Sequence, residues 1–283
     1  MKIGIAIFPA DFTMRPDVLA RAVEERGFES LFLSEHTHIP ATARSREAFG
    51  DLPSYFSHTH DLFIALSYAA AATSDLLVGS GICLIAQRDP IVTAKAIASL
   101  NVLSGGRLLF GVGAGWHTEE TENHGIAPED RWSVMGEHVQ AMQRIWTQDE
   151  AEFRGKHVEF GPLFSWPKPE CPMLPPVLVG GSGPHVSKRV IEYGDGWMPT
   201  ADMDHAELAR RITALRRDWE SAGRSGEVEV STIAQGVDPD PDTLESLRRI
   251  GVSRAVFHAP PADTDTVLRF LDRAAPLAAA YRR

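Results

Sequence analysis

Cysteine is scarce in this sequence of 283 residues, and no apolar run is long enough to cross a membrane. A membrane-spanning helix needs about 20 apolar residues. The two cysteines, Cys83 and Cys171, have neither the spacing of a zinc site nor the pattern of a disulfide framework. The sequence therefore predicts a cytoplasmic protein that has no membrane segment and no cysteine-based metal site.

Positive charge is also in short supply. The formal net charge is −10, and lysine is rare beside arginine. Proteins that bind nucleic acid generally carry a basic face, because most of their affinity comes from phosphate contacts. We therefore expect no nucleic-acid partner. An anionic ligand would have to be held by backbone N–H groups and a few local cations.

The common signatures of nucleophilic and nucleotide-dependent enzymes are missing as well. No Ser-His-Asp or Cys-His arrangement can be recognised, and no lysine follows a glycine loop as it does in a Walker motif. The glycines at 111, 113 and 115 lack the spacing and the following acid of a dinucleotide-binding fingerprint. Strand ends and their polar residues must then identify the chemistry.

Hydrophobic periodicity predicts eight strands that alternate with eight helices. The expected strands are Lys2–Phe8, Ser30–Glu35, Leu76–Leu84, Arg107–Gly115, Val177–Gly180, Gly196–Pro199, Val228–Gly236 and Arg254–His258. Helices are expected over Pro16–Arg26, Asp61–Thr73, Pro90–Leu103, Pro184–Tyr193, Asp242–Arg249 and Asp265–Ala279, and in the stripes Met135–Trp146 and Leu208–Trp219. Such even alternation indicates a single α/β domain, a TIM (β/α)8 barrel.

Two features qualify this architecture. A doubly wound open sheet is the alternative, but eight evenly spaced units with one late glycine-rich turn favour closure. The segment Glu152–Pro176, rich in aromatic residues and prolines, interrupts the alternation and contains a hairpin pattern. We interpret this segment as an insertion after strand four of one domain that covers residues 1–283.

The turn after the fifth strand is the most informative motif. Residues 177–183 read as an apolar strand that runs into Gly180, Gly181, Ser182 and Gly183, and the predicted helix begins at Pro184. N–H groups exposed in such a turn, with a helix N-terminus behind them, can bind phosphate or carboxylate. A tight turn that merely needs small residues is an equally good explanation of this motif alone.

Glycine is also dense at the ends of strands three and four, around Gly81, Gly113 and Gly115. Because the carboxyl ends of barrel strands carry the active site, these glycines would let a ligand approach the backbone closely. Neighbouring glycine-rich strand ends therefore predict a flat ligand over the mouth of the barrel.

His36, which follows strand two directly, is the best candidate for proton transfer because imidazole titrates near neutral pH. Glu35 could orient that imidazole or bond the ligand, and a rim ion pair is its competing interpretation. A metal-dependent hydrolase built on His36, His38 and His258 is an alternative from another functional class. It is weakened by the glycines that end the neighbouring strands, so no metal site is predicted.

Several motifs together resemble the luciferase-like monooxygenase superfamily, and more closely its branch that uses the deazaflavin coenzyme F420. The resemblance covers nearly the whole chain. It rests on the order and spacing of residues 34–36, 78–82, 88–95, 103–107, 111–116 and 180–183.

This resemblance implies an oxidoreductase that transfers a hydride between coenzyme F420 and a small organic substrate. The coenzyme ring would lie over a bulge in strand three at Ser80, Gly81 and Ile82, with a cis peptide between the last two. Its phosphate would bind the N–H groups of Gly181, Ser182 and Gly183. His36 would face the ring as acid, base or anion stabiliser.

One departure from the family bears on the substrate. The branch that oxidises glucose 6-phosphate has a glutamate where this chain has Trp116, and its phosphate-binding cations have no obvious counterparts here. The resemblance therefore implies an apolar or aromatic substrate.

The rival within the fold binds FMN and is a monooxygenase that uses oxygen, with a separate reductase as partner. A homodimer is implied by the family, and we expect the helices that bear Trp132 and Trp146 to contribute to it.

Overall fold

The computed structural model describes residues 1–169, 174–200, 203–234 and 239–281, and within them the strands of the main sheet close into a barrel. The barrel strands are β1 (Lys2–Ile7), β2 (Ser30–Leu33), β3 (Leu77–Leu84), β4 (Leu108–Gly113), β7 (Val177–Gly180), β8 (Gly196–Met198), β9 (Glu229–Ala234) and β10 (Arg254–His258). All neighbouring pairs are parallel, in the order β1-β10-β9-β8-β7-β4-β3-β2. The predicted (β/α)8 barrel is confirmed.

Helices surround the barrel as the alternation predicts. The bounds are α1 (Pro16–Glu25), α2 (Ala43–Phe49), α3 (Leu62–Ala71), α4 (Pro90–Leu103), α5 (Thr118–Asn123), α6 (Arg131–Thr147), α7 (Val186–Tyr193), α8 (His205–Ser221), α9 (Pro241–Arg249) and α10 (Thr264–Tyr281). In the described part of the chain, no helix is both long and apolar enough to span a membrane.

Local chemistry explains where the helices begin. The Asp61 carboxylate accepts hydrogen bonds from the N–H groups of the first turn of α3, and Asp89 does the same for Val92 in α4. These side chains satisfy N–H groups that have no partner inside the helix. Pro90 follows Asp89 at the first helical position, where a missing N–H costs nothing.

The barrel interior is a separate core from the layer between strands and helices. Its inward-facing residues are Ala6, Phe32, Leu109, Leu178, Met198, Ile233 and Val256. At the amino-terminal end of the strands, the buried Arg254 guanidinium donates to both Glu29 carboxylate oxygens at 2.8 Å and pairs with Glu229. Side chains and this ion-pair cluster therefore fill the lower barrel, which leaves the carboxyl end as the open mouth.

Several predicted boundaries are wrong by one to three residues. Strand two ends at Leu33 and not at Glu35, so residues 34–36 belong to the loop above the barrel. The helix expected from Pro184 begins at Val186, because Pro184 and His185 form a turn. The last two residues of the predicted strand Val228–Gly236 lie outside the described residues, as does Cys171.

Between β4 and β7 the chain forms α5, α6 and an antiparallel hairpin of β5 (Glu150–Arg154) and β6 (Glu159–Phe164). The hairpin is a two-stranded sheet separate from the barrel. It begins two residues before the predicted insertion, and residues 170–173 of that segment are not described.

Helices α2 and α5 and a short 3₁₀ helix, Ser54–Phe56, were not predicted. They lie in the loops after β2 and β4. Each spans at most seven residues, too short for an apolar periodicity to emerge from the sequence.

Candidate active site

A cleft of about 280 Å³ opens at the carboxyl end of the barrel strands. Most of the predicted site residues line it: Glu35, His36, Gly81, Ile82, Gly113, Gly115, Gly180 and Gly181. Phe8, Trp116 and Trp132 add aromatic walls, and Met198 and Ile233 close the floor. Ser80, Ser182 and Gly183 are not among the lining residues.

The glycines of β4 and β7 make room for the side chain of Ile82. A Cβ atom on Gly113 would overlap Ile82 Cδ1, and one on Gly180 would lie 2.8 Å from the same atom. The prediction that these glycines leave only bare backbone is therefore corrected. A ligand would meet backbone together with the partly exposed Ile82, which lines the cleft.

Strand β3 is irregular at this point. Its pairing with β4 shifts register between Ser80 and Cys83, and the peptide between Gly81 and Ile82 is cis, as predicted. Ser34 Oγ donates a 2.9 Å hydrogen bond to Gly81 O. Ser80, predicted to bind the cofactor, is instead fully buried, and its hydroxyl donates to Gly111 O at 2.7 Å. The Ser80 side chain thus joins two strands and does not face the cleft.

His36 is held by a buried carboxylate that the sequence did not reveal. Its Nδ1 lies 2.9 Å from Glu120 Oε2, and the two side chains are 3% and 0% exposed. Because an ionised carboxylate can only accept, the ring donates its Nδ1 proton to Glu120. The other ring nitrogen, Nε2, is then the one that can accept or deliver a proton at the cleft.

Glu120 is fixed on α5 by further bonds. The Thr37 N–H donates to its Oε1 at 3.0 Å. Burial opposes ionisation, but the hydrogen bonds from His36 and Thr37 lower the pKa of Glu120 below its ordinary value. The carboxylate therefore stays charged at neutral pH and accepts the Nδ1 proton of the His36 ring.

Glu35 does not orient His36, and this correction changes its role. Its Oε2 accepts the Leu84 N–H at 2.7 Å, and its Oε1 accepts Arg88 Nε at 2.9 Å. Although burial opposes the charge, Glu35 raises the pKa of Arg88. Glu35 thus ties the end of β2 to the chain after β3, which is the rim ion pair considered as its alternative.

The glycine turn after β7 is shaped differently from the predicted phosphate seat. Gly181 has φ +101°, which only glycine adopts readily, and its N–H donates to Met198 O at 3.3 Å. That N–H is used by the barrel in this structure, and a phosphate contact at Gly181 stays a prediction. Among the described residues, no bond from the N–H groups of Ser182 or Gly183 to another backbone group is found.

Arginines stand close to this turn. A Cβ on Gly181 would lie 3.3 Å from the Trp132 ring, and the Arg189 guanidinium lies 4.1 Å from the centre of that ring. Within the described chain, no carboxylate lies within ion-pair distance of Arg189 or Arg131. Burial, with Arg131 adding to it, lowers the pKa of Arg189.

The three histidines of the metal alternative are not brought together. His38 Nε2 contacts Asn123 and its ring lies 5.5 Å from His124, whereas His258 Nδ1 contacts Ala259 O at 3.1 Å. His36 is engaged by Glu120. In the described ranges, no three His, Cys, Asp or Glu residues are arranged to hold a metal ion.

Glu120, Arg88 and Trp132 were missed by the sequence reasoning. Arg88 could have been found, because it lies in a motif that carried the family resemblance. Glu120 gives no such signal, since residues 118–123 read as an ordinary polar loop. Its position follows only from the tertiary fold.

Comparison with known families agrees with this geometry. A sequence model described as luciferase-like monooxygenase matches residues 18–249. The uncharacterised protein Rv0953c of Mycobacterium tuberculosis is 36% identical over 281 residues, which covers 97% of this chain and 98% of that protein. An F420-dependent glucose-6-phosphate dehydrogenase of Kineococcus radiotolerans is 29% identical over 234 residues, 80% of this chain and 65% of that enzyme.

Solved structures share the fold without distinguishing between cofactors. The monooxygenase RslO1 from Streptomyces bottropensis and an F420-dependent secondary alcohol dehydrogenase each give a TM-score of 0.79 over 100% of both chains. Their identities to this chain are 18% and 20%. Such likeness establishes the barrel fold. The chemistry must be inferred from the residues of the cleft.

The packing of Ile82 against Gly113 gives a test of the mouth. We expect Gly113→Ala to lower the free energy of unfolding by about 1–3 kcal/mol, because the added methyl overlaps Ile82 Cδ1. The double variant with Ile82→Ala should recover part of this loss, measured by urea denaturation. Gly161→Ala, where a Cβ meets nothing within 4 Å, is the control. Additive effects of the two substitutions would contradict the packing described.

Proposed function

Because the chain belongs to the luciferase-like monooxygenase family, we propose that it is an oxidoreductase that uses coenzyme F420 to act on a small organic substrate. The observation that carries this proposal is His36, held by Glu120 with one ring nitrogen left for the cleft. The name of the Kineococcus relative, an F420-dependent dehydrogenase, favours the deazaflavin over a flavin.

The residues of the cleft fit a planar phosphorylated coenzyme. Backbone at Gly81, Gly113 and Gly180, together with Ile82, provides an apolar floor. The N–H groups of Ser182 and Gly183 would hold the phosphate, with Arg189 close by. An anion bound there would relieve the repulsion between Arg189 and Arg131.

When bound, the deazaflavin supplies the hydride chemistry. The chain's own residues supply position and proton transfer. His36 Nε2 would take a proton from the substrate or return it, and Glu120 would stabilise the ring while it is charged. The loop of residues 37–60 lies beside the cleft, and Thr59 Oγ1 donates to His36 O at 2.7 Å, which helps to fix the loop over the site.

The alternative is an FMN-dependent monooxygenase served by a separate reductase. The structural likeness to the monooxygenase RslO1 supports this alternative, because its TM-score equals that of the F420 enzyme. Since both cofactors are planar and phosphorylated, the floor alone does not choose between them.

Titration of the purified protein with F420 and with FMN, followed by fluorescence, tests the cofactor. We expect F420 to bind, and Arg189→Met to weaken its binding about tenfold, or about 1.4 kcal/mol. Lys188→Met, a neighbouring exposed cation, is the matched control. Tight binding of FMN without binding of F420 would replace this proposal with the monooxygenase.

Substitutions of the His36–Glu120 pair should separate catalysis from binding. We expect His36→Asn to lower kcat by about 10²–10⁴-fold, because the proton carrier is lost. Glu120→Gln should lower kcat about 10²-fold or more, since a neutral amide no longer stabilises the charged ring.

Turnover of a substrate that the wild-type protein accepts and the affinity for F420 would both be measured, and the affinity for F420 should change little. Glu122→Gln, on the exposed face of the same helix, is the control. Unchanged turnover in the His36 variant would refute the proton-transfer role.

We also propose that the protein forms a homodimer. Trp146 on α6 is buried with its Nε1 donating to Ala94 O, and Trp132 on the same helix lines the cleft, so the expected contribution of α6 to the dimer stays a prediction. Helices α3 and α4 expose Ile64, Tyr68 and Leu103 along one shallow groove. Apolar patches of this kind commonly mark protein interfaces.

Sedimentation velocity tests this surface. We expect a dimer for the wild type, and dissociation for Leu103→Lys, whose side chain is 85% exposed and would place a charge in the apolar contact. Phe164→Lys, also strongly exposed but on β6, should remain dimeric. A wild-type monomer at micromolar concentration would contradict the proposal.

A further inference from the structure

The part of the cleft around His36 is an aromatic enclosure. Phe56 lies edge-on to the His36 ring with centroids 5.1 Å apart, and Trp116 does the same at 5.4 Å. The Phe8 ring is stacked nearly parallel to the His36 ring at 6.3 Å and contacts Phe56 at 4.9 Å. Phe8 and Trp116 line the cleft, and apolar rings therefore surround His36, the only imidazole among the described residues that line it.

The enclosure is held in place by polar contacts behind it. Phe56 lies in the 3₁₀ helix of the loop after β2, and Phe49 at the end of α2 packs on Trp116 at 5.1 Å. Thr42 Oγ1 donates to Glu119 Oε2 at 2.7 Å, and Ser45 Oγ lies 2.9 Å from His117 Nε2. These contacts connect the loop to α5, the helix that also carries Glu120.

The charged groups nearest the enclosure are two carboxylates, those of Glu35 and Glu120. Among the described lining residues, Glu35 is the charged one, and Arg88 neutralises it. Glu120 lies directly behind His36. Arg131 and Arg189, which have no carboxylate within ion-pair distance in the described chain, lie against Trp132 near the glycine turn and not among the rings. An anionic group in the enclosure would lose its hydration and find no cation there.

We propose that this enclosure selects a neutral substrate whose aromatic or alicyclic ring packs on Trp116, which Phe56 contacts at 5.9 Å. A single carbonyl or hydroxyl oxygen of that substrate bonds His36 Nε2. Substrates with a phosphate or carboxylate on the ring are excluded. The reaction of this substrate rests on the proposed function, whereas its binding does not.

Ligand-observed NMR on the full chain without coenzyme tests the binding. The probes are acetophenone, 4-acetylbenzoate, which adds one carboxylate to the same ketone, and glucose 6-phosphate. Because an anion could also bind at the turn after β7, displacement of acetophenone is the readout. We expect 4-acetylbenzoate to compete with acetophenone at least about tenfold more weakly than acetophenone binds, and glucose 6-phosphate not to displace it. Displacement of acetophenone by either anion at an equal or lower concentration would overturn the proposal.

Variants locate the binding. Trp116→Ala should weaken acetophenone at least about fivefold, consistent with the loss of an aromatic contact. Phe56→Leu should weaken it less, and it provides a milder test if the first variant is unstable in thermal unfolding. Phe164→Ala, an exposed ring outside the cleft, is the control and should change nothing.

Unchanged acetophenone affinity in both the Trp116 and the Phe56 variant would place the ketone elsewhere and refute the enclosure. The outcome is independent of the coenzyme. Failure of F420 to bind would refute the proposed function but not the enclosure. Binding of F420 together with unchanged acetophenone affinity in both variants would refute the enclosure but not the proposed function.

Discussion

The hydrogen bond between His36 Nδ1 and Glu120 Oε2 is the interaction on which the site depends. It joins the loop after β2 to helix α5 after β4 across buried space, where its 2.9 Å contact is shielded from water. A buried carboxylate needs such partners, because an unpaired charge is costly to bury. The bond also assigns the roles of the two ring nitrogens, one to Glu120 and the other to the cleft.

The mouth of the barrel has two chemically different halves, and the His36–Glu120 pair lies in one of them. Around His36 the rings of Phe8, Phe56 and Trp116 form an apolar enclosure without a free cation among the described lining residues. Toward the turn after β7, Arg131 and Arg189 both lie against Trp132, and there we propose that the phosphate binds. Ile82 also lines the cleft, accommodated by glycines on β4 and β7. A coenzyme phosphate and a neutral substrate would thus bind at opposite ends of one cleft.

The sequence predicted the barrel well and the side-chain roles less well, for a physical reason. Strand order and helix faces follow from periodicity, so the eight-stranded closure and His36 at a strand end could both be derived. Glu35 was assigned to His36 because the two are adjacent in the chain, yet successive side chains point apart and Glu35 pairs with Arg88. Glu120 is 84 residues from His36, and only the packing of α5 brings them together. Likewise, the glycines pointed to a close approach of some group, and the structure identifies that group as Ile82.

NMR of the protein labelled with ¹⁵N in histidine, at a pH that keeps the ring neutral, tests the central claim most directly. We predict that neutral His36 carries its proton on Nδ1, bonded to Glu120, and leaves Nε2 unprotonated. Glu120→Ala should abolish this preference. An Nε2–H tautomer in the wild type, or the same tautomer with and without Glu120, would contradict the account.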